Sequence, residues 1–367
     1  MNKILKVEFY DEFNCIADRC SFTCCEGWEI IVDSDTYDKW KSNEKKTGYF
    51  SKNVRTRRRN KETKYYIKMG LHKSCPFLDE KGLCDIVVNY GEEYLSKTCR
   101  MFPRQENSSG NLNEYSLSCA CPAVVDLINN IEGKMKLLYD GDDSISVRKA
   151  MITILQNSKF PLKDRMLFLF HMLLSIKKEL SNANDIFSKY QDENYLQTLA
   201  DSWSGTRIKY KDSSQERNEL FLDIVQNYRE EKNYSYYLKD ISELAEDLDT
   251  ENSQTQWDNY KVVFGQYEKL IENCIVSKIF ANCISNDIDE MIKSFQMVIT
   301  EYIMVEYSAF LIWLVNEKKE IDYNNIRDYI VIYSRIIGYN VDGFREFWED
   351  SFDDGVWEFV YILLLIN

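Results

Sequence analysis

Nine of the eleven cysteines in this chain of 367 residues fall between Cys15 and Cys121, and only Cys274 and Cys283 lie beyond. They form four blocks: Cys15, Cys20, Cys24 and Cys25 in FNCIADRCSFTCCEGW; Cys75 and Cys84 in KSCPFLDEKGLC; Cys99 in CRMFPR; and Cys119 and Cys121 in SLSCACP. Free cysteine used as a small core hydrophobe has no reason to cluster in this way. A disulfide framework needs an oxidising compartment, and the N-terminus MNKILKVEFYDEF lacks the sustained apolar run of a secretory leader. The odd count and the adjacent pair Cys24–Cys25 also argue against pairing. A cytoplasmic location follows, and with it a centre held by thiolates, which suit zinc and iron–sulfur clusters. Each such centre takes four cysteines from separated segments, so nine allow two sites, or one site with further packed or reactive thiols. Spacing does not choose the metal, because neither a paired CxxC zinc pattern nor the ferredoxin run is present.

Charge divides the chain in the same place. Residues 1–125 hold 20 Lys/Arg against 18 Asp/Glu, and the remainder holds 26 against 42. An acidic C-terminal part cannot neutralise phosphates, so no nucleic-acid partner is expected there. The stretch 52–68 carries eight Lys/Arg with Tyr65 and Tyr66, and reads as a solvated loop or hairpin, with a docking surface as the other option. No stretch approaches the ~20 apolar residues of a bilayer span, so no membrane partner is expected.

Periodicity sets the fold class as mainly α: a small α+β cysteine-rich metal or cluster domain over 1–125, then a large helical domain over 126–367. Alternation and β-branching predict strands at 28–33, 64–69 and 114–118. Asp35 or Thr36 would cap a helix through Trp40, and 91–98 reads as a short helix. Helical spacing of apolar residues covers 123–138, 147–155, 164–180, 218–228, 235–248, 260–284, 287–316, 323–337 and 344–366. Cys274 and Cys283 lie on apolar helical faces and read as core.

The cysteine blocks resemble the flagellin lysine-N-methylase family, within the wider group of CxxCxxCC zinc- or iron-chelating domains. The match is carried by FNCIADRCSFTCCEGWEIIVDSDTY, CPFLDEKGLC, CRMFPR and SLSCACP in that order, over about residues 8–125, with Tyr333-Ser334-Arg335 as a weaker marker. The resemblance implies methyl transfer from S-adenosylmethionine to lysines of flagellin, with a [4Fe–4S] cluster involved. Carried over by position, Cys20, Cys24, Cys25, Cys75, Cys84 and Cys99 are the leading ligands, with Cys15 close behind. The family pattern Leu-Ser-Cys-Pro is here Leu-Ser-Cys-Ala-Cys-Pro, so Cys119 competes with Cys121 for the last position. The acidic residue and histidine implied after Tyr-Ser-Arg are absent, with Ile336 and Gly338 in their neighbourhood.

The remaining residues leave the chemistry open. No GxG offers a Rossmann-type cofactor loop. Cys20 and Cys24 start the Cys-x3-Cys-x2-Cys spacing of radical enzymes, but Gly27 stands at its third position. His72 reads as a turn residue rather than a ligand or base, and His171, inside MLFLFHMLL, as a satisfied core histidine. Arg100 and Arg104 flank Phe102-Pro103 and are candidates to neutralise a thiolate centre or clamp a carboxylate, with a structural ion pair equally open. Tyr37, Tyr65, Tyr66 and Tyr115 near the cysteine blocks offer rings to a lysine ammonium. The reading set against the enzyme is a non-catalytic, zinc-stapled interaction module; a redox sensor using Cys24–Cys25 is a third.

Overall fold

The computed structural model describes residues 3–43, 48–59, 62–70, 74–139, 147–179, 182–205, 210–318, 320–339, 341–351 and 355–366. His72 lies outside the described residues. The first part contains β1 (Lys3–Val7), β2 (Ile31–Val32), α1 (Ser34–Ser42), β3 (Val54–Arg59), β4 (Glu62–Ile67), α2 (Asp85–Tyr90), α3 (Lys97–Met101), β5 (Arg104–Ser109), β6 (Leu112–Leu117), α4 (Pro122–Asn129) and β7 (Leu137–Tyr139). Helices follow: α5 (Val147–Leu155), α6 (Leu162–Lys178), α7 (Ala183–Gln191), α8 (Glu193–Ser204), α9 (Tyr210–Val225), α10 (Ser235–Asp247), α11 (Gln254–Phe264), α12 (Glu268–Asn282), α13 (Ile288–Val315), α14 (Tyr323–Ile336), α15 (Val341–Ser351) and α16 (Gly355–Ile366). The mainly α class is as expected.

Two sheets carry the N-terminal part. One has the order β5-β6-β1-β7, with β1 parallel to β6 and antiparallel to β7. The other has the order β2-β4-β3 and contains the basic stretch as a hairpin, Val54 pairing with Ile67 and Arg57 with Lys64. On that hairpin Arg55 and Arg57 reach Glu29 and lie over the Tyr66 ring, so the basic side chains are partly engaged.

Two apolar cores result. The small one gathers Ile30, Val32, Trp40, Phe50, Ile67, Cys75, Phe77 and Ile86, with Cys25, Cys84 and Cys99 against its edge. The large one runs through the helices and draws in Val7, Phe9, Phe13, Phe22, Leu117 and Cys119 from the N-terminal part. At its centre lies α13, capped by the Asp287 carboxylate on the N–H groups of Asp289 and Glu290. Contrary to expectation, α13 is long and apolar enough to cross a membrane, but 83% of its most apolar window is buried inside the fold. Apolarity on every side marks a core helix as readily as a span.

Element boundaries depart from periodicity where a glycine or polar pair intervenes. The helix expected over 123–138 stops at Asn129; Gly133 turns the chain at φ +92, and Leu137 then pairs with Val7. The span 260–284 is divided at Gly265, and 344–366 falls into α15 and α16. The helix expected over 91–98 cannot include Gly91, whose φ is +97, and α3 begins only after the Ser96 cap.

Candidate metal centre and the pocket beside it

Three chain segments bring thiols to the edge of the small core. The loop 20–28 is folded on its own backbone: the Cys25 N–H donates to Thr23 Oγ1 at 3.2 Å, and Trp28 Nε1 donates to the Cys24 carbonyl at 2.8 Å. The second segment is tied to the first where the Cys75 N–H donates to the Cys25 carbonyl at 2.8 Å. Asp79 then accepts from the N–H groups of Lys81 and Leu83, both at 2.8 Å, turning the chain so that Cys84 bridges back to Leu78. The third segment is aimed by two caps. Ser96 Oγ accepts from the Cys99 N–H at 3.2 Å, and Asp33, the cap of α1, also takes the Lys97 N–H at 2.7 Å.

The thiols these segments deliver meet around Cys24. Cys24 lies against Cys25 and Cys25 against Cys75, and Cys84 and Cys99 lie within electrostatic reach of Cys24. The neighbouring Cys25 thiol and burial hold the Cys24 thiol well above its ordinary pKa. Cys25 is pushed up too: the Cys24 thiol pulls the other way but is outweighed by the Cys75 thiol and by burial. Burial raises Cys84, and pushes Cys99 up to about 12. This is a nest of thiols from separated segments. Its donor set is what a thiophilic centre requires, since a bound metal displaces such protons. Among the described residues, no three His, Cys, Asp or Glu side chains are already set around one ion's position.

Cys20 also lies within electrostatic reach of Cys24, and Cys20 and Cys121 lie within reach of each other and of Arg335. Burial raises both thiols, Cys121 to about 12. Cys15 is exposed, its sulfur accepting only the Ala17 N–H at 3.5 Å. Cys119 lies in the large core, against Cys274. The Cys274 thiol lowers the Cys119 pKa against the opposing burial, and Lys278 helps. Lys278 is paired with Glu301 and donates to Ser334 Oγ at 2.6 Å. Burial works against the Lys278 charge, but Glu301 and Cys119 outweigh it and its pKa is raised. Cys274 and Cys283 are both buried in helical packing, as expected. His171, expected as a core histidine, is half-buried on α6, bonded to Tyr190, with its pKa lowered by burial.

Of the two arginines singled out, Arg100 is exposed on α3, and Arg104 lies over the Phe13 ring with its Nη2 3.4 Å from the Phe13 carbonyl. The arginine that joins the thiol segments is Arg335 of α14. Its three nitrogens donate to the carbonyls of Ala120, Thr23 and Phe22 at 3.0, 3.1 and 3.1 Å, and its side chain is buried. One side chain thus stitches the Cys20–Cys25 loop to the Cys119–Cys121 turn and both to the helical part. The Tyr-Ser-Arg fragment was its one trace in the sequence. Lys278 and Glu301 had a trace too, as charges set inside otherwise apolar helical runs.

Beside Arg335 opens a pocket of about 290 Å3, lined by Gly27, Trp28, Glu29, Tyr228, Tyr234, Arg335, Ile336 and Tyr339. Trp28 stacks on Tyr339 at 5.1 Å, and Tyr228 meets Tyr234 edge to face at 6.0 Å. A Cβ on Gly27, whose φ is +87, would come within 2.9 Å of the Tyr234 hydroxyl, so only glycine lets the cysteine loop approach that ring.

The family described as the FliB lysine N-methylase C-terminal domain matches residues 148–365, more than half of the chain and the whole helical part with Arg335. The chain belongs to the FliB lysine N-methylase family. Among its relatives, the flagellar biosynthetic protein FliU of Salmonella muenchen is 34% identical over 132 residues, covering 35% of this chain and 78% of that protein. The lysine-N-methylase of Salmonella typhimurium is 28% identical over 203 residues, covering 52% of this FliB-family chain and 47% of the relative. That of Salmonella choleraesuis is 28% identical over 200 residues with the same coverage. The match thus spans about half the length of those two lysine-N-methylases. No solved structure matches.

Proposed function

We propose that this chain is a protein-lysine N-methyltransferase of the cell interior, acting on flagellin with S-adenosylmethionine as donor and carrying a cysteine-ligated [4Fe–4S] centre. The observation that carries the reading is the gathering of thiols from separated segments around Cys24, directly beside an aromatic pocket in a chain whose relatives are named lysine-N-methylases. Cys24, Cys25, Cys75, Cys84 and Cys99 supply the nest from which ligands would be drawn, and Cys20 and Cys121 lie next in line. A centre of this kind supplies one-electron chemistry at a potential set by burial and by hydrogen bonds to its sulfurs. The chain's own part is to hold the two cysteine segments in register through Arg335, whose fixed charge also offsets thiolate charge. Trp28, bonded to the Cys24 carbonyl, forms the wall shared by thiol nest and pocket.

The test is transfer of labelled methyl groups from S-adenosylmethionine to purified flagellin by the anaerobically prepared protein. Transfer that disappears in Cys24→Ala is expected; no transfer by a protein that retains its centre would overturn the reading.

A further inference from the structure

A second cavity, of about 50 Å3, lies where α12, α13 and α14 meet the end of β6. It borders the large core, yet its walls are polar: Ser277 and Lys278 come from α12, Glu301 from α13 and Ser334 from α14, and all four are buried. Asn282 and Tyr339, both exposed, also line it, so it is reached from solvent. The space holds about three or four water-sized groups, enough for the small polar end of a ligand.

We infer that this cavity seats the amino-acid end of S-adenosylmethionine, with the α-ammonium on Glu301 and the α-carboxylate on Lys278 and Ser277. This deepens, and rests on, the reading of the chain as an S-adenosylmethionine-dependent methyltransferase. The charges select such a group. Lys278 and Glu301 pair with each other, so together they add no net charge. A lone anion entering here meets the Glu301 carboxylate, and a lone cation meets the Lys278 ammonium. A group with both charges on one carbon can lie antiparallel to the pair and be attracted at each end.

Both partners keep bonding capacity for it. Of the three N–H groups of an ammonium, Lys278 spends one on Glu301 and one on Ser334 Oγ, the latter at 2.6 Å. Glu301 accepts from Lys278 and Ser334 through Oε2, while its Oε1 accepts no hydrogen bond among the described residues. Gly338 leaves the space beside that oxygen clear, since a Cβ there would stand 3.7 Å from it.

Ser277 is the orphan of the site. Its residue is 1% exposed, and its hydroxyl has no hydrogen-bond partner among the described residues. A helical serine can give its proton to the carbonyl four residues back, as Ser334 does to Ile330 at 2.7 Å. Ser277 does not, and it lines the cavity instead. A buried hydroxyl left unmet is costly, and a bound carboxylate removes that cost. The remainder of the ligand has the aromatic pocket of about 290 Å3, which Tyr339 also lines and whose rings suit a purine.

The experiment compares, by calorimetry on the full-length, anaerobically purified protein, three ligands that share the thioadenosine part. S-adenosylhomocysteine carries the whole amino-acid end, 5′-(3-aminopropyl)thioadenosine the ammonium alone, and 5′-methylthioadenosine neither. S-adenosylhomocysteine is expected to bind at least about tenfold more tightly than either of the others. Lys278→Met combined with Glu301→Leu should abolish that preference while keeping the methylthioadenosine affinity, which reports that the variant is folded. Ser277→Ala should weaken S-adenosylhomocysteine about threefold and leave methylthioadenosine unchanged. Equal affinities in the wild type would assign the cavity to water alone, and tightest binding of the aminopropyl compound would make it a cation site. A preference that persists in the double variant, or an unaffected Ser277→Ala, would place the amino-acid end elsewhere, such as at the thiol nest. Each of these overturns the inference, as does an absence of binding. Labelled methyl transfer measured in parallel separates the two readings. Transfer without the expected preference removes the cavity assignment alone, whereas the expected preference without transfer removes the enzyme reading.

Discussion

The small core and the large core solve the problem of burying sulfur in opposite ways. In the large core, Cys119 and Cys274 are enclosed among helices together with Lys278, Glu301 and Ser334, where the lysine meets both the carboxylate and the hydroxyl. In the small core, thiols from three segments crowd around Cys24, burial pushes the pKa values of Cys84 and Cys99 up, and Arg335 reaches the Cys20–Cys25 loop through its backbone carbonyls. The first arrangement is balanced in charge as it stands. The second has donors to spare, a poor way to stabilise a small core and a good way to hold a centre that takes their protons. Short elements and one compact aromatic cluster of Trp40, Phe50 and Phe77 give the small core little else to rest on.

Substitutions ordered by size sharpen this contrast. Trp40→Ala removes a fully buried ring that also donates to the Tyr94 carbonyl at 2.7 Å. A loss of about 3–5 kcal/mol is expected, with hydrogen-exchange protection falling around Trp40 and Phe77 and persisting in α13. Uniform loss across both cores would break the distinction.

Lys278→Ala leaves Glu301 buried without its partner and is expected to cost about 3 kcal/mol in urea unfolding. Replacing both with apolar residues, as Lys278→Met with Glu301→Leu, should recover most of it. A double variant no better than the single would show that the pair is more than charge compensation.

Asp33→Ala removes the carboxylate that caps α1 and orients the start of α3, for an expected loss of about 1–2 kcal/mol. Burial opposes the Asp33 charge, but the N–H groups of Lys97 and Thr36 outweigh it and its pKa is lowered. Its contribution is therefore full above the unfolded carboxylate pKa of ~3.9 and is lost as pH falls through the lower folded value. Wild type and variant should converge in acid. Lys159→Ala, which breaks the exposed pair with Glu193, is expected to change stability by less than about 1 kcal/mol.

The sequence made the two cores unequally legible. In the helical part, 3.6-residue spacing found α6, α10, α13 and α14 to within a few residues, because each buries a long apolar stripe in a large core. Breaks at Gly265 and near Asn129 went unseen, since helical spacing survives a turn that keeps the buried face in phase. In the small core, β2 is only two residues long and its neighbours are loops, whose shape depends on Asp79, Ser96 and Asp33 capping particular N–H groups. The cysteine blocks announced themselves by clustering. Which thiols meet, and that Cys119 turns toward Cys274, depends on pairing over long sequence distances that no local spacing encodes. Arg335 was hidden for the same reason: it acts across more than 300 residues of chain on Thr23 and Phe22.

The most direct test of the account is the iron, zinc and acid-labile sulfide content of the anaerobically purified chain, measured beside Cys24→Ala and Cys274→Ala. Iron and sulfide in similar amounts are expected in the wild type and in Cys274→Ala, with both largely lost in Cys24→Ala. A colourless wild type holding stoichiometric zinc, or iron retained in Cys24→Ala but lost in Cys274→Ala, would contradict it.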